Sequence, residues 1–350
     1  MGLNESSFIR ASTRIYVAGH GELVGSALLG RLQQDDHHAS LVTRPRADLD
    51  LRDQVRVRAF FEAERPEIVF LAAAKVGGIW ANASLPAEFI QQNLAIQSNV
   101  IHEAWRSGVK RLLFLGSSCI YPRECPQPVK EEYLLTGPLE GTNRPYALAK
   151  IAGIEMCWAY NRQYGTRFYS VMPTNLYGPG DNFDLEGSHV IPAMLRKFHE
   201  AKSGDEARGQ VVLWGSGTPR REFLHVDDMA DACVFLMNLP DGKLDQVFRG
   251  VEESDLSAPS RTPLLNVGSG EDITIRELAG LIKETVKYEG EIAWDRSKPD
   301  GTPRKLLDVT RLLATGWSPK ITLWEGLAGT YRWYVENASL AHTKVLASAS

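Results

Sequence analysis

Along the first half of the chain, short apolar runs alternate with longer segments in which apolar and polar positions interleave at helical spacing. The apolar runs at residues 14–19, 68–73, 111–116 and 167–172 have the length of strands, and residues 26–32, 51–64, 86–107 and 145–164 read as helices. Strands that alternate with helices through short connections predict a parallel sheet covered by helices on both faces. In such sheets ligands bind beyond the carboxyl ends of the strands. Gly77-Gly78, Ser117-Ser118-Cys119 and Pro173-Thr174-Asn175 each follow a strand directly, so all three are expected to border one crevice. After Gly178-Pro-Gly180 the pattern changes to loops and helices, and a strand-like run at residues 264–268 then returns to the sheet.

The first strand leads into Gly19-His20-Gly21-Glu22-Leu23-Val24-Gly25 and then an amphipathic helix. A glycine turn between strand and helix lets backbone amides and the helix N-terminus face a pyrophosphate, and its last glycine permits close helix-strand packing. A lone glycine cluster is equally compatible with an ordinary turn. Nineteen residues after Gly25 come Arg44 and then Arg46; arginine there favours a 2′-phosphate, hence NADP(H) over NAD. The expected fold class is therefore α/β, a Rossmann-type doubly wound parallel sheet with a smaller mixed α/β substrate-binding domain. The NADP-binding domain is expected over residues 12–180 with returning segments near 222–240 and 263–270, and the substrate-binding domain over 181–221 and 271–337. The polar, irregular stretch 241–262 and the small-residue tail 341–350 are expected to be mobile.

Tyr146 and Lys150 stand four residues apart in Arg144-Pro-Tyr-Ala-Leu-Ala-Lys150, and on a helix such positions share a face. A phenol titrates near 10, so bringing it to neutrality takes about 3 units or roughly 4 kcal/mol, much of which a neighbouring cation can supply. With Ser117 and Cys119 upstream and His189 downstream, the set reads as a carbonyl-reducing site with further acid/base groups. The spacing alone is weak evidence, because a packed ring and a solvated amine recur at this interval. By residue type alone, Cys119 is more often a small buried side chain at a strand end, His189 a satisfied loop histidine and Ser117 a turn residue.

The 350 residues, 43% of them hydrophobic, are enough for a large core. A net charge of −4 with no long basic run argues against nucleic-acid and membrane-surface partners and points to small molecules. The four cysteines show no metal-ligand spacing, no metal site is expected, and reduced thiols without a signal peptide predict a cytoplasmic protein. No apolar run approaches the roughly 18 residues that span a bilayer. His225 and the His37-His38 pair read as structural or solvated.

Longer runs identify a family. Ala72-Ala-Ala-Lys-Val-Gly-Gly78, Leu115-Gly-Ser-Ser-Cys-Ile-Tyr-Pro122, Pro173-Thr-Asn-Leu-Tyr-Gly178, Ser188-His-Val-Ile-Pro192, Trp214-Gly-Ser-Gly-Thr-Pro219, Arg221-Glu-Phe-Leu-His-Val-Asp-Asp228 and Ser297-Lys-Pro-Asp-Gly-Thr-Pro-Arg-Lys305 closely resemble the GDP-L-fucose synthase family of extended short-chain dehydrogenase/reductases. The resemblance, running from about residue 14 to residue 337, implies epimerisation of GDP-4-keto-6-deoxy-D-mannose at C3 and C5 followed by NADPH-dependent reduction at C4. It implies that Ser117 bonds the C4 oxygen, Tyr146 delivers its proton, Lys150 holds the nicotinamide ribose, and Cys119 and His189 serve the epimerisation. It places cofactor contacts at residues 19–25, Arg44, Leu115, Gly116, Ser117, Ser118, Lys150, Pro173, Thr174, Asn175, Leu176 and His189, and substrate contacts at Lys197, Trp214, Arg221 and Asp300. It also implies a homodimer, with the helices at 86–107 and 145–164 as interface elements.

Two positions depart from the family's Gly-His-Arg-Gly-x-Val-Gly loop. Gly21 stands where the family has an arginine that grips the 2′-phosphate, and Glu22 where it has the second loop glycine. Both changes are expected to weaken NADPH binding. Lys197 stands at an arginine position of the family and supplies charge as a point donor. A related GDP-deoxysugar enzyme and a non-catalytic NADP-binding regulator are the alternatives. Ser117-Ser-Cys119 in place of a dehydratase's Thr-Asp-Glu argues against dehydration, and retention of both Tyr146 and Lys150 argues against loss of turnover.

Overall fold

A computed structural model describes residues 8–35, 40–185, 187–203, 209–249, 263–298 and 300–337. The His37-His38 pair, residues 250–262 and the tail 341–350 lie outside the described residues. Strand β1 (Ile15–Ala18) is followed by α1 (Leu23–Gln34), β2 (Leu41–Val42), α2 (Gln54–Glu64), β3 (Ile68–Leu71), α3 (Ile79–Ser84), α4 (Pro86–Arg106), β4 (Arg111–Leu115), α5 (Arg144–Tyr164) and β5 (Phe168–Pro173). These strands and β9 (Leu264–Val267) form one six-stranded sheet in the order β2-β1-β3-β4-β5-β9, parallel throughout.

The period of two along each strand divides the sheet's side chains between two cores. Tyr16, Ala18, Val69, Leu71, Leu112 and Phe114 pack with Val57, Phe60, Val100 and Ile154 from α2, α4 and α5. Ile15, Val17, Ile68, Phe70, Leu113 and Leu115 face the other way, onto Leu28 and Leu32 of α1 and onto α7 (Val226–Asn238). Both faces are dry, which explains why the strands read as continuous apolar runs rather than alternating ones. The connection through α1 runs from β1 to β2 on one side, and the connection through α2 crosses back to β3 on the other. The topological switch point therefore lies between the carboxyl ends of β1 and β3, where such sheets hold ligands.

Beyond β5, a smaller sheet gathers β6 (Asn175–Tyr177), β8 (Arg220–His225), β10 (Asp272–Thr274) and β12 (Arg304–Lys305). β8 is its centre, parallel to β6 and β12 and antiparallel to β10. A third, two-stranded piece pairs β7 (Gln210–Trp214) with β11 (Glu291–Asp295). α6 (Val190–Ser203), α9 (Ile275–Val286) and α11 (Leu323–Glu336) enclose a separate core around Phe183, Phe198, Leu213, Ile282 and Tyr334. β8 lies in this smaller sheet, so the return toward the large sheet begins at Val226 rather than near 222.

One expectation fails. Residues 241–249, read as the start of a mobile segment, form helix α8 (Asp241–Arg249), with Leu244 and Phe248 fully buried against the large sheet. Phe248 lies 4.5 Å from the Tyr169 ring, centroid to centroid. The fully buried Arg111 donates to the Met237 carbonyl at 2.7 Å and the Leu239 carbonyl at 2.8 Å, and pairs with Asp241 at the helix start. Leu244 and Phe248, with the partly buried Val247, anchor the helix, too few apolar positions for the sequence pattern to stand out among the polar ones. A short helix α10 (Thr310–Leu313) completes the chain's elements.

Candidate functional site

The glycine turn after β1 fits a dinucleotide at the two positions where backbone must approach backbone. Gly19 has φ +85°, and a Cβ there would lie 2.6 Å from the Ala73 amide nitrogen. A Cβ on Gly25 would lie 2.0 Å from the Gly19 carbonyl oxygen. Only glycine serves at either place. Gly21 and Glu22 are exposed, a Cβ on Gly21 meets nothing within 4 Å, and Glu22 has ordinary extended backbone (φ −92°, ψ 168°). The glutamate therefore costs the loop no strain. It precedes α1 without a side-chain bond to the first turn, and a helix start of that kind presents its amides and positive dipole end to an anion. His20 Nδ1 is buried with no partner among the described residues.

Arg44, exposed at the end of β2, donates to the Thr43 carbonyl at 2.7 Å, pairs with Glu64 and lies 5.7 Å from the Phe60 ring centroid. A recess of about 460 Å³ opens there between Arg44, Leu49, Arg56 and Phe60. Leu115 and Gly116 end β4, and Ser118 is buried in the short 3-10 turn Ser118–Ile120 that follows. Pro173 ends β5; Thr174 Oγ1 and Asn175 Nδ2 donate to the Glu222 carbonyl at 3.2 and 2.8 Å, fastening the β5–β6 link with Leu176 to β8. Those two side chains hold the floor of the crevice in shape.

Ser117, Cys119, Tyr146 and Lys150 converge beyond the end of β4. Ser117 caps the 3-10 turn, its Oγ accepting from the Cys119 amide at 3.4 Å, and its hydroxyl also bonds the Tyr146 phenol. Lys150 is buried, donates to the Leu115 carbonyl at 2.7 Å and stands 4.8 Å from the Phe114 ring centroid and 5.8 Å from that of Tyr146. The Tyr146 ring meets Phe89 edge to face at 6.1 Å, and Phe89 also closes over Gly77. His189 stands just before α6, two residues after Gly187, whose carbonyl accepts from the Gly78 amide at 3.2 Å. Tyr146 and Lys150 thus stand one turn apart on α5, but the ammonium turns to the Leu115 carbonyl and not to the phenol.

The electrostatics differ from the sequence expectation. Burial pushes the Tyr146 phenol well above its usual 10; the nearby Cys119 adds to the rise, and the Ser117 hydrogen bond opposes it. The Lys150 ammonium donates to the Leu115 carbonyl and not to the phenol. Burial brings Lys150 itself down to about 8. The Cys119 thiol is pushed up by burial, against the pull of Lys305, the Ser117 hydrogen bond and Lys150. His189 is exposed, yet the protein around it desolvates the ring and lowers its pKa. The resting groups are therefore a phenol, a thiol and a neutral imidazole, and the tyrosine is not brought toward neutrality as the sequence led us to expect.

In the smaller part of the fold, Trp214 is 63% exposed at the end of β7. Its ring lies 5.6 Å from Lys197 Nζ of α6 and 5.5 Å from Lys298 Nζ. Lys298, which the sequence did not single out, gives the indole a second cation. Arg221 on β8 donates to the Arg220 carbonyl at 2.8 Å; burial lowers its pKa and Asp300 opposes that. Asp300 accepts from the Ser216 amide at 2.6 Å and hydroxyl at 2.8 Å, so it clamps the loop beside Trp214. Lys305, the register partner of Arg221 on the neighbouring strand, was also missed; a two-residue strand carries no period from which its direction could be read. A separate cavity of about 1210 Å³, lined by Arg220, Lys283, Tyr288 and Lys320, contains none of the candidate catalytic groups. No cluster of metal-ligating side chains occurs among the described residues.

Residues 15–248 match the NAD dependent epimerase/dehydratase family. GDP-L-fucose synthase 1 of Arabidopsis thaliana is 54% identical over 338 residues, covering 96% of this chain and 98% of the relative. GDP-L-fucose synthase of Escherichia coli (strain K12) is 55% identical over 324 residues, covering 93% and 97%. Among solved structures, a GDP-mannoheptose C4 reductase from Campylobacter jejuni with NADP bound is 38% identical, covers 93% of this chain and 99% of that one, and superposes with a TM-score of 0.81. The chain belongs to the NAD dependent epimerase/dehydratase family and, within it, to the GDP-L-fucose synthases.

Proposed function

We propose that this protein converts GDP-4-keto-6-deoxy-D-mannose to GDP-L-fucose, epimerising C3 and C5 and then reducing the C4 ketone. The observation that carries the reading is the meeting of Cys119 and its capping Ser117, in one 3-10 turn, with Tyr146 and Lys150 of α5; His189 would complete the set. NADPH, when bound, supplies the reducing equivalents to C4. The turn at residues 19–25, with its free helix start, would hold the pyrophosphate; Arg44 would meet the 2′-phosphate; Lys150 and the ends of β4 and β5 would border the nicotinamide ribose.

The chain's own groups account for the remaining steps. Ser117 and Tyr146 hydroxyls aimed at one point stabilise negative charge on the C4 oxygen, first as an enolate and then as an alkoxide. A C–H beside a ketone is acidic enough to exchange only while that charge is held. Cys119 as thiolate takes the proton from one face and protonated His189 returns one from the other, which inverts the carbon. Because the resting pair is thiol and imidazole, a proton must first pass from sulfur to the ring. A phenol raised by burial stays protonated through the neutral range, which is the form needed to donate to the alkoxide.

Trp214, Lys197, Arg221 and Asp300 form the wall on which we place the guanine nucleotide and its diphosphate, and residues 181–221 and 271–337 would supply most of the substrate-binding part. A reductase for a related GDP-sugar without epimerisation would leave Cys119 and His189 without a role. Incubating purified protein with GDP-4-keto-6-deoxy-D-mannose and NADPH in deuterated water tests the choice. GDP-L-fucose carrying deuterium at C3 and C5 is expected; a reduced sugar without deuterium would establish the alternative.

We further place the protein in the cytoplasm, its four cysteines being unpaired thiols, and assemble it as a homodimer. The parallel pair α4 and α5 exposes Leu94, Leu148 and Tyr164, apolar surface suited to the same pair of a second copy. Light scattering coupled to size exclusion measures that mass directly. No helix among the described residues is long and apolar enough to cross a membrane.

A further inference from the structure

Asn266 is a fully buried polar residue on β9, the edge strand of the six-stranded sheet. Its Nδ2 donates to the Val129 carbonyl at 2.9 Å and to the Asp308 carbonyl at 3.1 Å. Two carbonyl partners fix which end of the amide carries the nitrogen, so Oδ1 is left as the acceptor. It takes the Tyr121 hydroxyl at 2.5 Å. The backbone amide of the same residue donates to Glu131 Oε1 at 3.1 Å, and Glu131 faces Arg311 of α10 at 3.5 Å. One residue of the sheet edge thus fastens both ends of the segment 121–131.

Tyr121 is the residue on which the turn carrying Cys119 ends. That turn is three residues long, Ser118–Ile120, closed by the Ile120 amide donating to the Ser117 carbonyl at 3.2 Å and by the Ser117 Oγ cap on the Cys119 amide. A 3-10 turn this short holds its shape poorly by itself. It enters from β4, which is fixed by the sheet, and it leaves through Tyr121, which joins Ile120, Val129 and Leu307 in the buried core. Burial holds the Tyr121 phenol well above its usual range, so it stays protonated and remains a donor to Asn266.

We propose that Asn266 is a positioning residue for both halves of the reaction, acting through the Tyr121 hydroxyl to hold Ser117 and Cys119 in place at the sugar. The inference rests on the function proposed above for Ser117 and Cys119. Apolar packing alone leaves a ring some freedom to slide, whereas a hydrogen bond to an amide anchored at two other points fixes where the ring stops. Cys119 is two residues away along a turn, so a shift of Tyr121 is passed to the sulfur and to the serine hydroxyl that caps it. The amide is also the side chain that this place requires. Aspartate would present an acceptor to the Val129 and Asp308 carbonyls, and leucine would leave the buried phenol without its partner.

Tyr121→Phe tests the tether, because it keeps the ring and deletes the bond. Iodoacetamide alkylation of each cysteine is followed in the full chain without substrate and mapped by peptide mass. Solvent deuterium entry at C3 and C5 and NADPH oxidation are then measured with GDP-4-keto-6-deoxy-D-mannose. Alkylation of Cys119 should quicken by about tenfold as the turn loosens, while the fully buried Cys157 and Cys233 keep the wild-type rate. kcat for exchange and for reduction should both fall by about tenfold, with the KM for the sugar and the Kd for NADPH held within about twofold. Asn266→Ala should cost more, since it also releases Val129 and Asp308, and adding Tyr121→Phe to it should cost little further, because both remove one bond. If Asn266→Ala does not fold, Tyr121→Phe decides alone. An unchanged kcat or an unchanged Cys119 alkylation rate in Tyr121→Phe overturns the proposal. So does equal quickening at Cys157 and Cys233, which would mean general loosening, and so do losses that multiply in the double variant. The alkylation needs no sugar, so failure of the wild-type protein to turn over GDP-4-keto-6-deoxy-D-mannose would strike the function and leave the tether measured.

Discussion

Lys150 Nζ donates to the Leu115 carbonyl at 2.7 Å, so the ammonium hangs from the end of β4 rather than resting on the phenol one helical turn away. The bond ties α5 to the strand that delivers Ser117 and Cys119, and it leaves the lysine buried. The charged form is disfavoured there, and the pKa drops to about 8. Since a free lysine titrates near 10.4, the unfolded chain binds more protons between those two values. Its cost to the fold is therefore fully present below about 8 and is relieved as pH rises through 10.

That titration predicts the alkaline limb of the reduction. kcat/KM, which reports free-enzyme groups, should hold through neutrality and fall about tenfold per unit above pH 8 as Lys150 loses its proton. NADPH oxidation measured from pH 6 to 10 checks it, and a flat profile to pH 9.5 would count against the assignment. Lys150→Arg keeps its charge throughout, so the limb should vanish while the rate drops, because the larger planar guanidinium does not fit the pocket under Leu115.

Tyr146→Phe isolates the proton donor. The phenol bonds Ser117 and stays protonated across the working range, so its removal should cost 10²–10⁴-fold in NADPH oxidation. Cys119 and His189 remain, and solvent deuterium should still enter the sugar. Reduction near the wild-type rate would move the donor role to another group.

The parts of this molecule legible in its sequence are those governed by period and by backbone geometry. The strand runs at 68–73 and 111–116 landed on β3 and β4 because burial on both faces leaves an uninterrupted apolar signal. Gly19 and Gly25 were legible because only glycine survives where they sit. What the sequence concealed depends on solvation and on where long side chains point. It could not show that Lys150 turns to a carbonyl, that burial rather than a cation dominates Tyr146 and Cys119, or that Lys298 reaches Trp214. Helix α8 was hidden for a simpler reason: two buried residues, Leu244 and Phe248, suffice to seat it.

Phe248→Ala measures whether α8 belongs to the core. Phe248 is fully buried between Tyr169 and the α7 side chains. Truncation of such a ring costs about 3–5 kcal/mol through lost transfer energy and the cavity left behind. Urea unfolding should show a lower midpoint with an unchanged slope. Stability equal to wild type would return the segment to the status of a loose linker.

Cys119→Ser separates exchange from reduction. Serine presents a far weaker acid than a thiol, so no base forms at the Ser117 turn and deuterium entry at C3 and C5 should fall by at least about 10²-fold. The reducing set of Ser117, Tyr146 and Lys150 is untouched. NADPH oxidation should continue on the unepimerised ketone, giving a sugar of different configuration. Normal exchange in the variant would identify Cys119 as a packed residue.

The altered glycine loop predicts weaker NADPH binding than the family pattern would give. Glu22 is exposed beside the α1 N-terminus, where a carboxylate roughly 7 Å from a cofactor phosphate repels it by about 2 kcal/mol at an effective dielectric near 20, before screening. Gly21 removes a charge-assisted contact to the 2′-phosphate, and Arg44, the cation that remains, is already shared with Glu64. Neither position is constrained by the backbone: Gly21 has open space around it, and Glu22 is in ordinary extended conformation. The double variant Gly21→Arg with Glu22→Gly should therefore fold normally. Its dissociation constant for NADPH should fall by about tenfold or more at low salt, with a smaller gain for NADH, which lacks the 2′-phosphate. Calorimetric titration of both cofactors against both proteins, at 20 and 200 mM salt, reads the difference, and the gain should shrink at the higher salt. Equal affinities in the two proteins would show that Glu22 turns to solvent and that the loop grips the cofactor through its amides alone.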